Sequence, residues 1–126
     1  MRVRLDERTE KLTEVIIGSA FEVSNVLGHG FLEVVYRKAL IHEMRQRALS
    51  VSEEVPFPIT YKDLEVGTYF ADVVVEELVV VELKAVEALA SAHVSQVLNY
   101  LKASGLQVGL LFNFAKPKLE FRRVLL

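Results

Sequence analysis

The chain has 126 residues, a formal net charge of −2 and a hydrophobic residue content of 52%. This length predicts a single domain over residues 1–126 with a core of its own. The hydrophobic content and a mean hydropathy of +0.30 exclude a disordered chain and favour a sheet buried on both faces. A pI of about 5.9 also excludes the overall charge of a strong nonspecific nucleic-acid binder.

The sequence contains no cysteine, which excludes a disulfide framework and a thiolate zinc site. His29, His42 and His93 lack the spacing of metal ligands, so we expect surface or capping roles for them. No apolar run approaches the roughly 18 residues of a membrane span, and segment 1–6 lacks the apolar region of a signal peptide. We therefore expect a cytoplasmic protein with no membrane partner.

Two helices are predicted in the first part of the chain. Asp6 suits the N-cap of a helix from about Glu7 to Leu27, which Gly28-His29-Gly30 ends. A second helix is predicted from about Phe31 to Ala48, and its basic tail Arg45–Arg47 suits the helix dipole better than a phosphate site. The apolar stripe of the first helix is Leu12, Val15, Ile16, Ala20, Val23 and Leu27.

An extended pattern follows from Val51 to Tyr61. Pro56 and Pro58 indicate that this strand lies at a sheet edge or near a bulge. Lys62-Asp63 predicts a turn, after which Glu65 to Val75 returns as a second strand.

The β-branched runs Val73–Val75 and Val79–Val81 flank the acidic pair Glu76-Glu77 and predict a hairpin with an exposed turn. Three charged residues of this segment are then predicted to lie on the strands, inside the apolar runs. They are Asp72, Glu82 and Lys84.

The register of this hairpin decides whether the two carboxylates meet. A loop of only Glu76-Glu77 puts Asp72 opposite Val81 and turns Glu82 to the other face of the sheet. A loop that includes Leu78, or a bulge of one residue, puts Asp72 opposite Glu82.

Two neighbouring carboxylates in an apolar sheet repel each other, and a divalent cation would relieve that repulsion. Mg²⁺ favours one or two carboxylates together with waters and phosphate oxygens. Lys84, two residues after Glu82 and on the same face, could hold an attacking water or neutralise charge on a phosphate. The alternative is an ion pair of Lys84 with Glu82 or Asp72 that has no catalytic role.

A third helix is predicted from near Ser91, as N-cap, to about Ala103, with Ser104-Gly105 as its end. Strands from Leu106 to Phe114 and from Leu119 to Leu125 follow, separated by the basic turn Lys116–Lys118. The order is ααβββαββ, and strands that are apolar on both faces need helices on both sides. We therefore predict an α/β sandwich with a mixed central β-sheet flanked by helices.

The segment Gly30-x-x-Glu33-x-x-Tyr36 resembles the signature of the GxxExxY protein family. The resemblance runs from about Thr13 onward and includes Asp72, Glu82-Leu83-Lys84-Ala85, Gln96-x-x-x-Tyr100 and Gly109–Phe114. That family is placed in the PD-(D/E)XK nuclease-like superfamily, so the resemblance implies a restriction-endonuclease-like fold.

The resemblance also implies roles for individual residues. Asp72 and Glu82, with the Leu83 carbonyl, would ligate Mg²⁺ or Mn²⁺, and Lys84 would orient or help activate the attacking water. Glu33 would be a further acid of the metal site, holding a metal-bound water. Gln96 and Tyr100 share one side of the third helix and would contact the nucleic acid.

These observations favour a metal-dependent nuclease, acting on DNA. The alternatives are a noncatalytic binding or assembly module with the same fold and a hydrolase of a smaller phosphate ester. Phe70 stands where the family frequently has Arg, which removes a possible phosphate partner. A core this small would need a partner protein or a homodimer to grip a duplex. The candidate basic surface is Arg37, Lys38, Lys102, Lys116, Lys118, Arg122 and Arg123.

Overall fold

The computed structural model describes residues 5–126, so the prediction about a signal peptide partly concerns residues 1–4, outside the described residues. Over that range the elements follow the predicted order ααβββαββ. The helices are Glu7–Leu27 (α1), Glu33–Gln46 (α2) and Ser91–Ser104 (α3), and the strands are Val51–Tyr61 (β1), Leu64–Val75 (β2), Val79–Lys84 (β3), Val108–Asn113 (β4) and Glu120–Leu125 (β5). No helix within residues 5–126 is long and apolar enough to cross a membrane.

The strands form one mixed sheet in the order β1-β2-β3-β4-β5. β1, β2 and β3 are antiparallel neighbours, β3 and β4 run parallel, and β5 is antiparallel to β4. The parallel pair is joined through α3, because parallel neighbours need a crossover connection rather than a tight turn.

Helices cover both faces of this sheet, as predicted. Val73, Val75 and Val81 pack with α1 and α2, whereas Val74 and Val80 pack with α3. The alternation follows from the strand period of two, since successive side chains point to opposite faces. The consecutive valines of β2 and β3 are therefore explained by a sheet with two apolar faces.

The predicted bounds of α1 are confirmed, but part of its apolar stripe is wrong. The Asp6 side chain accepts a hydrogen bond from Thr9 N (2.7 Å), and the helix ends at Gly28 with φ +71°. Val15 is 36% exposed, while Ser19 is fully buried. The Ser19 hydroxyl donates to the Val15 carbonyl (2.8 Å), so a polar residue occupies the core face without an unmet hydrogen bond.

The other helix bounds need small corrections. Leu32 is the N-cap of α2, and the helix stops at Gln46 because Ala48 has φ +63°. Ala90, rather than Ser91, is the N-cap of α3. The Ala90 N–H donates to His93 Nδ1 (2.9 Å), which gives this histidine a capping role.

The terminal strands are also shorter than predicted. β4 begins at Val108 and ends at Asn113, one residue before Phe114, and β5 begins at Glu120 rather than Leu119.

β1 and β2 extend past the rest of the sheet as a two-stranded ribbon. β1 is an edge strand with a bulge between Ile59 and Thr60, as its prolines predict. β2 pairs with β3 only through Val73–Val75, while its preceding residues pair with β1 alone. The strands β2 and β3 therefore separate at Asp72.

The hairpin between β2 and β3 has the wider of the two predicted loops. Val75 pairs with Val79, and the Leu78 N–H donates to the Val75 carbonyl (3.0 Å). Glu76 and Glu77 both have positive φ, 53° and 56°. Because Leu78 is an extra residue, the pairing Val73 to Val81 continues toward Asp72 and Glu82 on facing positions.

Gly109 of β4 lets α3 approach the sheet closely. A Cβ at this position would lie 2.5 Å from Val97 Cγ1 of α3 and 3.4 Å from the Val80 carbonyl oxygen. Val97 is fully buried and β-branched, so its side chain has little freedom to move away.

Gly109→Ala is expected to lower the free energy of unfolding by about 1–3 kcal/mol, the usual cost of an overpacked core. Gly67→Ala is the matched control, because a Cβ at Gly67 meets nothing within 4 Å, and it should change stability by less than about 0.5 kcal/mol. Urea denaturation measures both variants. Equal stabilities of the two would contradict the close approach of α3.

Candidate active site

Asp72 and Glu82 lie side by side where β2 leaves β3. The Asp72 N–H donates to Glu82 Oε1 (2.9 Å), and the Leu83 N–H donates to Asp72 Oδ2 (3.2 Å). The two carboxylates thus accept hydrogen bonds from backbone N–H groups of the facing strand. The regular backbone pairing of β2 with β3 ends just before them, at Val73 and Val81. Among hydrogen bonds of the described residues, none reaches Asp72 Oδ1 or Glu82 Oε2, so each carboxylate keeps one oxygen for another partner.

Glu82 is almost completely buried, with 2% of its surface exposed. Burial, and next the negative charge of Asp72, raise the pKa of Glu82 to about 8. The hydrogen bond from the Asp72 N–H and the charge of Lys84 act in the opposite direction but are weaker. In the protein alone, ionising both carboxylates is therefore unfavourable near neutral pH.

Lys84 does not form the predicted alternative ion pair. Its Nζ donates to Gln96 Oε1 of α3 (2.9 Å), and within residues 5–126 it has no salt bridge to Asp72 or Glu82. Lysine has donors only, so the Gln96 oxygen must face Lys84 and its amide nitrogen faces away. The ammonium keeps donors for a further ligand.

Tyr100 extends this contact along α3. Gln96 Nε2 donates to the Tyr100 hydroxyl over 3.4 Å, a weak bond. Burial, followed by the charges of Glu82 and Asp72, raises the pKa of Tyr100 to about 12. The hydroxyl is protonated at neutral pH, as in any tyrosine of ordinary pKa, and has a hydrogen to donate.

Glu33 approaches the site from the first residue of α2. Loss of solvent, and then the negative charge of Asp72, raise the pKa of Glu33, whereas Lys84 and Arg37 lower it. Glu33 is thus within electrostatic range of both strands. However, no three His, Cys, Asp or Glu side chains among residues 5–126 are grouped closely enough to hold a metal ion together.

Tyr36, the last residue of the Gly30-x-x-Glu33-x-x-Tyr36 segment, has a structural role. The buried Tyr36 hydroxyl donates to the Gly28 carbonyl (2.7 Å) and accepts from Phe31 N (3.2 Å). Its ring stacks on Phe114, with centroids 4.8 Å apart. These contacts fix the loop between α1 and α2 and hence the position of Glu33.

Asn113 supports the site and was not singled out from the sequence as a site residue. Its buried side chain accepts from Val86 N (3.1 Å) and donates to the Val86 carbonyl (2.8 Å) and to Glu120 Oε1 (3.1 Å). Glu120 also accepts from Leu89 N (3.1 Å), and these bonds lower its pKa. A lone amide ending an apolar strand is the signal that could have identified Asn113.

A cleft of about 750 Å³ lies beside the carboxylates, between the β2 ribbon and α3. Its lining includes Tyr69, Phe70, His93, Gln96, Asn99 and Tyr100. Gln96 and Tyr100 therefore belong both to the cleft and to the contacts around Lys84. The sequence patterns did not identify Tyr69 or Asn99, because the cleft depends on how the ribbon crosses α3.

A family model described as the PD-(D/E)XK nuclease superfamily matches residues 10–124. The chain belongs to this superfamily. Its mixed sheet between helices is the restriction-endonuclease-like fold of a PD-(D/E)XK protein. No curated protein and no solved structure matches the chain. The narrower resemblance to the GxxExxY family stays a prediction.

The residues present fit the divalent cation that PD-(D/E)XK nucleases typically use. Asp72 and Glu82 offer two carboxylates with one uncommitted oxygen each, and Mg²⁺ commonly binds through one or two carboxylates while keeping waters. The Leu83 carbonyl stays a predicted ligand. Glu33 is better suited to a position outside the oxygens that bind the ion directly than to the role of a third carboxylate ligand.

The candidate basic surface of this PD-(D/E)XK protein is divided rather than continuous. Arg123 of β5 lies opposite Leu110 of β4, which belongs to the α1–α2 face. Its side chain forms a salt bridge with Glu10 of α1. Arg122 pairs with Leu111, which lies in the core under α3. Neighbouring strand residues point to opposite faces, so the seven basic residues do not converge.

Because Glu82 is buried beside Asp72, we predict that the metal-free protein loses stability as the pH rises. Unfolding returns the pKa of Glu82 from about 8 to 4.5, so between these values the folded chain holds a proton that the unfolded chain releases. The free energy of unfolding should therefore fall between pH 4.5 and 8, by at most about 1.4 kcal/mol per pH unit, and level off above pH 8.

Urea denaturation in chelator from pH 5 to 9 measures this trend. Glu82→Gln keeps an oxygen for the Asp72 N–H without a charge, so it should flatten the trend and be more stable than the wild type at pH 9. Glu22→Gln on the exposed surface of α1 is the control. A slope unaffected by Glu82→Gln would contradict the assignment.

Proposed function

We propose that the protein is a metal-dependent nuclease that hydrolyses phosphodiester bonds, with DNA as the substrate. The main supporting observation is the convergence of Asp72 and Glu82, each with a free oxygen, next to a Lys84 that pairs with neither. Membership of the PD-(D/E)XK superfamily supports nuclease chemistry in general. In this proposal the carboxylates and the Leu83 carbonyl hold Mg²⁺ or Mn²⁺.

When bound there, the ion would supply positive charge and Lewis acidity next to the scissile phosphate. Lys84 would orient the attacking water through its free N–H donors, and Gln96 would hold the ammonium in place. Glu33 would hold a second water molecule. Tyr100 would donate its hydroxyl hydrogen to the nucleic acid, since a tyrosine hydroxyl is protonated at neutral pH.

The position of Lys84 separates this proposal from a purely structural role for the charges. A structural pair would bring opposite charges into contact, since a buried charge is costly without a partner. Here the lysine is held by a neutral amide, and the two acids stay next to each other. This arrangement suits a site that gains its positive charge from a ligand.

Lys84→Ala and Glu82→Gln should each lower DNA hydrolysis by about 100-fold or more, as expected for loss of a charge that stabilises the transition state. The assay incubates linear, circular and single-stranded DNA, and RNA, with Mg²⁺ or Mn²⁺. Lys11→Ala is the matched control, since Lys11 lies exposed on α1 and pairs only with Glu7 among the described residues.

Cleavage that persists in both site variants would come from a contaminant. If the wild type cleaves none of the substrates with either ion, a noncatalytic binding or assembly module becomes the better interpretation. Cleavage of small phosphate esters alone would favour a hydrolase of such compounds.

Metal binding has its own test by calorimetric titration with Mn²⁺. Asp72→Ala should weaken binding by at least about tenfold, since even outer partners of metal ligands change affinity by about 10- to 100-fold. Glu33→Gln should have a smaller effect, because Glu33 is not grouped with both strand acids. Glu22→Gln serves as the control, and equal affinity of Asp72→Ala and wild type would remove Asp72 as a ligand.

A further inference from the structure

The cleft beside the carboxylates continues along α3 away from the site. A second cleft of about 340 Å³ shares Tyr69 and Asn99 with the first and reaches Lys102. Gln96, Asn99 and Lys102 recur every three residues, so they follow one side of the helix. We call the two clefts together the α3 cleft. Its lining on α3 spans residues 92–103, a length of about 16 Å at the rise of an α-helix.

The charge of the α3 cleft differs from that of the whole chain. The protein has 17 Asp and Glu residues, yet no acidic side chain is among the described residues that line the cleft. Its lining instead carries amides, hydroxyls and the ammonium of Lys102. A phosphate backbone can therefore enter without meeting a carboxylate before it reaches the site.

An aromatic side chain of the β2 ribbon, that of Tyr69, lies at the same cleft. Tyr69 is 40% exposed, whereas the side chain of Phe70, its neighbour on the strand, points to the opposite face of the ribbon. The Tyr69 ring packs edge-to-face against Tyr100, with centroids 5.4 Å apart, which fixes its orientation. An exposed ring held beside a groove free of acids is the arrangement on which nucleic-acid bases stack.

We propose that the α3 cleft binds single-stranded nucleic acid, with a base against Tyr69 and the backbone along Asn99 and Lys102. This inference rests on the proposed nuclease function and names its substrate class. A duplex fits less well, because its bases are already stacked inside the helix. It would also need many basic contacts, whereas Lys102 is the only Lys or Arg among the described lining residues.

The cleft joins the site through Gln96, which contacts Lys84 on one side and lines the cleft on the other. A strand that follows α3 from Lys102 to Gln96 would thus bring a phosphate toward Lys84.

Fluorescence anisotropy tests binding separately from hydrolysis. The Glu82→Gln protein is titrated against labelled oligothymidylate and oligouridylate of about 15 nucleotides, the upper range of known single-strand site sizes, and against a duplex of equal length. The single strands should bind at least about tenfold more tightly than the duplex. The two single strands distinguish DNA from RNA.

Adding Tyr69→Ala to the Glu82→Gln protein should weaken single-strand binding by about tenfold or more, the effect of losing a stacked base. Asn99→Glu puts an acid into the cleft at an exposed helix position that leaves the core intact, and it should also weaken binding. Tyr61→Ala with Leu64→Ala is the control, since these exposed residues lie at the ribbon tip and do not line the cleft.

Equal or tighter binding of the duplex, or wild-type affinity in Asn99→Glu, would overturn the inference. Cleavage of duplex DNA by the wild type together with such a result would leave the nuclease proposal standing. Single-strand binding that follows the expectations, with no hydrolysis by the wild type under any condition, would instead overturn the nuclease proposal and keep the binding cleft.

Discussion

The placement of Asp72 beside Glu82 depends on one turn. Glu76 and Glu77 adopt left-handed backbone conformations, which cost non-glycine residues about 1–2 kcal/mol each. Ser50 holds this turn, since its carbonyl accepts from Glu76 N (2.8 Å) and its N–H donates to Glu76 Oε2 (2.9 Å). The turn and the extra Leu78 set the register of β2 and β3, and a slip of one residue would send the two carboxylates to opposite faces.

Three separate packing arrangements bring the remaining side chains to these acids. Gly109 allows α3 to lie close to the sheet, which carries Gln96 to Lys84. Tyr36 ties the loop before α2 to the end of β4, which positions Glu33. Asn113 holds the segment that follows Lys84. Each arrangement joins elements that are distant in the chain, so the position of the side chains around the acids depends on the packing of the whole core.

The sequence determined most of the fold because helix caps and strand periodicity are local. Asp6 and the valine runs predict their elements correctly, and the two prolines place β1 at the edge. The register of the hairpin was reduced to two alternatives by parity, but local propensity could not choose between them. The first of two consecutive glutamates at positive φ, Glu76, is held by Ser50, which is 26 residues away in the chain.

Contacts between distant elements could not be predicted from the sequence either, because local propensity does not determine them. The partner of Lys84 is Gln96 rather than an acid, and this depends on the distance between α3 and β3. The basic residues could be counted but not assigned to faces, so the division between Arg122 and Arg123 required the register of β4 and β5. In both cases the contacts of a side chain depend on where its element lies in the fold, not on the residue type.

The arrangement of the charged side chains determines which of them stay available to a ligand. Lys84 lies near enough to lower the pKa of Glu82, but Gln96 keeps it from closing an ion pair. Neither acid therefore has a cationic side chain paired with it among the described residues, and both lie at the separation of β2 and β3, where the α3 cleft opens beside them. In the proposed function, a cation bound by the acids would offset their negative charge from one side, and Lys84 would face the incoming phosphate from the other. The same residue types joined in a direct ion pair would have satisfied the charges and left neither group available to a substrate.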